Sequence, residues 1–281
     1  MLPFNLDTLK KTYTPALKNG TRKMARPHTA FVPLLASFAP ISLAQMAGVA
    51  LLDRMDTKYV MSETQLYQAL TTLREEYWVL DINAVRLNQY RTLYFDTADF
   101  MLYHRHHAGG HNRYKVRSRE YVDSHLSFLE IKYKAGNART LKSRLQTPAL
   151  LTQFSADTHP FMDAHFPFAA EYLEPKLWNE YVRVTLVNKH APERLTLDLN
   201  LRFYNDEHTV SLPGVAIAEV KQAGHNPRSP FFQQMRAMNL RPMGFSKYCM
   251  GVTMLYPEVK ANHFKPQLRE IENLVSTPNF M

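Results

Sequence analysis

The chain has 281 residues, 34 Lys and Arg against 25 Asp and Glu, and a formal charge of +9. Hydrophobic residues make up 45%, enough for a sizeable core, and 15 Tyr, 16 Phe and only 9 Gly favour strands over a glycine-rich nucleotide fold. The single cysteine, Cys249, excludes an internal disulfide and a cysteine-rich zinc site, and the basic surplus points to an anionic partner.

Residues 1–28 read as a polar, basic arm. Thr29 to Leu52 carries no charge, but Pro33, Pro40 and its polar residues argue for a buried leading helix over 41–52 rather than a membrane span. A strand follows at 53–60. Ser62 with Gln65 three residues on forms a capping box, which starts a helix running to about Leu73. A strand is expected at 89–95 and a short turn or helix after Asp99. A hairpin connection is expected at 106–112, and strands at 113–121 and 126–134. His104, His106, His107 and His111 read as exposed loop residues, with cations at the tunnel mouth as the alternative, because a hairpin loop is a poor frame for a metal. Residues 148–179 suggest short helices. Strands return at 180–187, 194–204 and 215–221, followed by a helix at 229–238 behind Pro230. A short segment at Ser246–Cys249 closes the domain. The organisation expected is an arm over 1–40, one domain over 41–256 and a polar tail over 257–281.

The strands alternate in an unusual sense. Arg54, Asp56 and Lys58 share a face, as do Lys115, Arg117 and Arg119. Glu130, Lys132 and Lys134 alternate with apolar residues, Tyr181 and Arg183 oppose Val182 and Val184, and Glu219 and Lys221 flank Val220. In 195–202 an unbroken leucine face opposes Thr196, Asp198, Asn200 and Arg202. Spread on an open face, so many cations would repel their cross-strand neighbours. The expectation is therefore an α+β fold: an antiparallel sheet closed into a barrel, helices packed outside, and a charged interior that holds a polyanion. The interspersed carboxylates Asp56, Glu130, Asp198 and Glu219 orient the cations and, as hard oxygen ligands, suit Mg2+ or Mn2+.

In order and spacing, the fragments Arg54–Tyr59, Tyr90–Thr97, Arg113–Arg119, Phe128–Lys132, Tyr181–Arg183, Arg194–Asp198, Ala218–Lys221 and Phe245–Tyr248 resemble the VTC domain. This is the polyphosphate polymerase domain of the triphosphate tunnel, or CYTH-like, superfamily. The resemblance covers roughly 50–250 and implies a tunnel barrel. It implies phosphate contacts from Arg54, Lys58, Lys115, Arg117, Arg119, Lys132, Lys134, Arg183, Arg194, Arg202, Lys221 and Lys247. Of these, Lys58, Arg117, Arg119, Arg183 and Lys247 would serve the chemistry. Glu219 falls at the family's metal position, with Glu130 and Asp56 as further candidates for Mn2+ or Mg2+. Asp56 stands where the family has Glu, which argues against a two-metal hydrolase.

The implied reaction moves the γ-phosphate of ATP onto a growing inorganic polyphosphate chain. The alternatives are a hydrolase of inorganic triphosphate or polyphosphate and a non-catalytic polyphosphate-binding module. The implied setting is cytoplasmic, at the inner face of a membrane through a membrane-protein partner. No nucleic acid is expected, since the interior is too narrow for a duplex.

Overall fold

A computed structural model describes residues 30–47, 55–136, 140–224 and 226–276. Its centre is an 11-stranded sheet. The main path uses β2 (Met55–Ser62), β4 (Asn88–Asp96), β5 (Arg113–Tyr121), β6 (Leu126–Lys134), β7 (Thr140–Thr147), β8 (Glu174–Asn188), β9 (Glu193–Tyr204) and β11 (Val215–Gln222). Their order is β2-β11-β9-β8-β4-β5-β6-β7, and every pairing along it is antiparallel. Three short strands lie off the path: β1 (Ala39–Ile41), β3 (Tyr77–Leu80) and β10 (Thr209–Leu212).

The expected closed barrel does not form. β2 and β7 stand at the two ends of the path and do not pair among the described residues. What lies along the outer edge of β2 is a segment of irregular backbone, whose Met243 N–H donates to the Lys58 carbonyl at 2.8 Å. It then reaches β5, where Lys115 Nζ donates to Ser246 Oγ at 2.8 Å. A connection of non-strand backbone thus runs from the edge of β2 to β5.

Helices cover both faces. Tyr59 and Met61 of β2, Val184 and Leu186 of β8, and Leu195, Leu197 and Leu199 of β9 pack with Phe31, Leu66, Leu70, Phe231 and Met235. These come from α1 (Phe31–Ala36), α3 (Glu63–Thr72) and α6 (Pro230–Ala237). Farther along the same side, Leu93, Val116, Leu129 and Ile131 bury Leu102 of α4 (Met101–His107) and Met162 of α5 (His159–His165). The opposite face carries Val60, Leu177, Tyr181, Leu201, Phe203 and Ile217. It receives α7 (Lys247–Leu255) and α8 (Lys265–Ser276) through Tyr248, Val252, Leu268 and Ile271. The approach of α7 is close: a Cβ at Gly251 would sit 2.6 Å from Leu177 and 2.7 Å from Phe203.

Several local rules hold. The capping box forms in full, with Gln65 N–H to Ser62 Oγ at 3.1 Å and Ser62 N–H to Gln65 Oε1 at 2.9 Å. Strands β5 and β6 have the expected bounds. Other expectations are corrected. Residues 101–107 are helical, so the histidine run sits on α4 rather than in a hairpin. The leading helix over 41–52 is replaced by β1 and a short α2 (Leu43–Ala47), with 48–54 outside the described residues. The first half of β8, expected as helix, is strand. The 257–281 tail contributes α8, whose Leu268 and Ile271 are fully buried.

The leucine face of β9 is also broken. Asn200 takes a left-handed φ of 53°, and one extra residue of β9 is accommodated between Glu180/Arg202 and Val182/Leu199. The alternation inverts there. Leu195, Leu197 and Leu199 face α3 and α6, whereas Leu201 and Phe203 face α7. Among the described residues no helix is long and apolar enough to cross a membrane.

Candidate anion site

The face that carries Val60 and Ile217 turns polar further along the strands. On β2 the same side presents Lys58 and Asp56, and on β11 it presents Glu219 and Lys221. Directly opposed residues fix rows across the sheet: Asp56–Lys221–Arg194, then Lys58–Glu219–Thr196–Thr185. From the other end of the path come Lys115–Lys132–Lys142 and Arg117–Glu130–Arg144.

Both ends of the path border one cavity of about 590 Å³. Its walls hold six cations, Lys58, Arg113, Lys115, Lys132, Lys134 and Lys142, against two carboxylates, Asp56 and Glu219. Pro242–Phe245 completes the rim, and Lys58 Nζ is tied to the Phe245 carbonyl at 2.8 Å.

The row of three lysines is the unusual feature. Direct cross-strand like charges destabilise a sheet. Lys132 makes no hydrogen bond or ion pair with the described residues, and Lys115 has only the Ser246 hydroxyl. Burial, reinforced by Arg117, pushes the Lys132 ammonium well below its usual range. Burial also lowers Lys115. Lys142 falls to about 8 through burial and despite Glu130, which it contacts. Lys221 falls to about 8 through burial despite its contact with Glu219. In each case burial is the largest cause, so the folded protein holds these charges at a desolvation cost.

The carboxylates are already engaged. Burial would raise Glu219, but Lys221 and Lys58, the latter at 3.7 Å, hold it well below the carboxylate range. Glu130 is buried, grips Arg117 Nε and Nη2 at 2.7 and 2.5 Å, and meets Lys142. Among the described residues no three His, Cys, Asp or Glu side chains gather as a metal cage. Glu219 and Asp56 nevertheless both face the cavity, and the donor set is oxygen alone. That fits a hard divalent ion that draws its other ligands from phosphate and water.

The remaining expected cations form a second, deeper group. Arg183 binds Asp198 through two bonds of 2.6 and 2.8 Å, and Lys247 contacts the same carboxylate. Those two cations hold Asp198 below its usual range although burial opposes it. Arg119 donates to Thr92 Oγ1 at 3.1 Å and lies 5.6 and 5.9 Å from the Tyr90 and Tyr181 ring centres. Arg183 and Lys247 also lie over Tyr181, at 5.2 and 4.5 Å. Arg117, Arg119, Arg183 and Lys247 therefore share the charged face but stand outside the cavity wall.

Two expected ligands are placed elsewhere. Arg202, beyond the Asn200 inversion, faces the opposite side, where it meets Glu180 at 3.5 Å and lies over Tyr204. Arg194 extends the Asp56–Lys221 row. Arg54 lies outside the described residues. Two wall residues, Lys142 and Arg113, were not foreseen, and His106, the alternative tunnel-mouth cation, lines the wall as well. Lys142 was legible in Thr140–Lys142–Arg144–Gln146, which alternates with Leu141 and Leu145. Burial and Lys115 push the His106 imidazole down to about 3, so its neutral ring donates Nε2–H to the Tyr114 carbonyl at 3.1 Å.

The VTC domain family's sequence model matches residues 53–256. The chain belongs to the VTC domain family. It thereby falls in the CYTH-like triphosphate tunnel superfamily. A comparison with curated proteins gave no match. Solved structures with a similar fold include a Hippeastrum protein described as an adenylyl cyclase with a dominant triphosphatase activity. It is 13% identical, with 72% of this chain and 97% of that one covered and a TM-score of 0.47. A Bacillus halodurans protein described as a candidate adenylate cyclase is 15% identical over 75% and 96% of the chains, at 0.43. The RNA triphosphatase Pct1 of S. pombe is 9% identical over 92% and 95%, at 0.27. In this VTC domain the matched segment contains every cavity-wall residue, from Asp56 to Phe245.

Proposed function

We propose that the cavity binds a linear phosphate chain, inorganic triphosphate or polyphosphate, and catalyses its hydrolysis. The observation that supports this is the row Lys115–Lys132–Lys142, three ammonium groups side by side with no carboxylate in the row. A chain of phosphates, with a charge at each repeat, matches such a row better than a single anion. In this reading the three lysines neutralise successive phosphoryl oxygens, and Lys58 and Lys221 hold Glu219 ionised. A water oxygen bonds to phosphorus as a bridging P–O bond breaks, one water proton passing to the departing phosphate oxygen, which leaves two shorter phosphates. Glu219, with Asp56 nearby, would hold Mg2+ or Mn2+, which when bound supplies Lewis-acid neutralisation of phosphoryl oxygens.

A second reading is favoured by the VTC family match: transfer of the γ-phosphate of ATP onto a polyphosphate chain. One assay separates the two. Orthophosphate released from tripolyphosphate in the presence of Mn2+ or Mg2+ supports hydrolysis. Long polyphosphate made from ATP and Mn2+ supports chain extension and overturns the first reading. Tight binding of tripolyphosphate with neither product leaves a binding module and overturns both.

A further inference from the structure

A second cavity, of about 360 Å³, opens away from the anion site. Leu93, Pro175, Trp178 and Tyr256 give it an apolar wall, and the exposed Asp206 and Glu207 border it. Leu93 and Trp178 belong to the face of the sheet opposite Thr92 and Tyr94, so the wall lies outside the charged interior. The wall is held in place. Trp178 stacks on Tyr204 with ring centres 5.8 Å apart and planes 4° from parallel. The Tyr256 hydroxyl donates to the Lys176 carbonyl at 2.5 Å.

The charge here is the reverse of the anion site. Burial chiefly raises the Tyr256 hydroxyl, against a bond with Asn205, and the carboxylates of Glu258, Asp206 and Glu207 add to the rise. Among the described residues Asp206 and Glu258 make no ion pair, and Glu207 has only His208, at 3.7 Å. The one cation in the wall, Lys176, is committed elsewhere: its ammonium meets Glu174 and lies 4.7 Å from the Phe100 ring centre. In a chain of net charge +9, this cavity joins an aromatic wall to carboxylates without a cation of their own.

We propose that this cavity binds a linear polyamine. Its methylene stem lies against Pro175 and Trp178, and its ammonium groups meet Asp206 and Glu207, with Glu258 close by. An indole ring attracts both methylenes and ammonium groups. The volume is that of a small-molecule site. A bare metal ion would gain nothing from the apolar wall, and no cage of three ligands is present among the described residues. A single lysine side chain brings one charge, whereas three carboxylates call for several charges on one thin chain.

Calorimetry with spermidine on the full chain, free of phosphate ligands and at physiological salt, tests this. The wild type should bind one spermidine, and Asp206→Asn/Glu207→Gln should weaken it about tenfold. Both positions are exposed, so the double variant keeps the fold. The chain has two tryptophans, Trp78 and Trp178, and in a Trp78→Phe background spermidine should shift Trp178 emission. No binding, equal binding by the double variant, or binding that leaves Trp178 emission unmoved overturns the proposal. Ammonium chloride that competes charge for charge shows only a diffuse acidic surface and overturns it too. A trilysine peptide that binds more tightly than spermidine makes the occupant a basic protein segment instead. In a separate titration the double variant should keep tripolyphosphate affinity within about twofold, so the two cavities' readings can fail independently.

Discussion

Two groups of cations share one face of the sheet and live under opposite conditions. The deep group has carboxylates of its own: Asp198 holds Arg183 and Lys247, and Glu130 holds Arg117. It is also padded by Tyr90, Tyr94 and Tyr181. The cavity group, Lys115, Lys132 and Lys142, shares a row that contains no acid. The first arrangement is self-sufficient and sets the frame. The second has only Glu130, shared with Arg117, on Lys142, and its other lysines call for an anion from outside. Arginine suits the first role, because its planar fork grips a carboxylate at two points, and lysine suits the second as a mobile point charge.

The sharpest way to break this contrast is to remove an acid from the deep group. Asp198→Ala leaves Arg183 and Lys247 buried without their carboxylate, and a loss of about 3–5 kcal/mol in urea unfolding is expected. A stability change near zero would show that the deep group is not a frame.

Removing a cavity cation should do the reverse. Lys132→Ala is expected to weaken tripolyphosphate binding by about ten- to a hundredfold in calorimetry, from the loss of a charge-assisted contact. Its unfolding midpoint should not fall, because like-charge repulsion is relieved.

The contrast can be sharpened by pH. Lys142 and Lys221 sit at about 8 in the folded protein against an unfolded value near 10.4. Between those values the unfolded chain binds more protons, so stability rises with pH from about 8 to about 10.4. Urea unfolding of the ligand-free protein at pH 7.5, 8.5 and 9.5 should show the rise. Over the same range tripolyphosphate affinity should fall as the lysines lose their charge. The smallest effect is expected at Arg202, which faces the other side of the sheet with Glu180. Arg202→Ala should leave tripolyphosphate affinity within about twofold of wild type.

How much of this was legible depended on whether the signal was local. Strands β5 and β6 announce themselves by strict alternation, and the Ser62–Gln65 box is a short-range pairing, so both were readable. β7 was missed because its apolar alternation is short, Leu141 and Leu145 interrupted by Ser143, in a strand that is mostly polar and exposed. The inversion at Asn200 was missed because Leu201 continues the leucine spacing in sequence while the backbone turns it over. Whether β2 and β7 meet is a property of the whole sheet's course, and no residue in either strand encodes it. The cations could thus be assigned to a charged face, while the division between cavity wall and deep group needed the fold. His106 was readable only as an alternative cation at the tunnel mouth, and its place as a neutral wall residue follows from α4 packing beside β5.

The Asn200 inversion has one more consequence. Before it, β9 sends Thr196 and Asp198 to the wet half of the face; after it, Leu201 and Phe203 go to the dry half under α7. A single left-handed residue therefore draws the shoreline between ion chemistry and oil. Forcing Asn200 into regular strand geometry without removing it would exchange the two territories, turning Arg202 toward α7 and Leu201 out of its core.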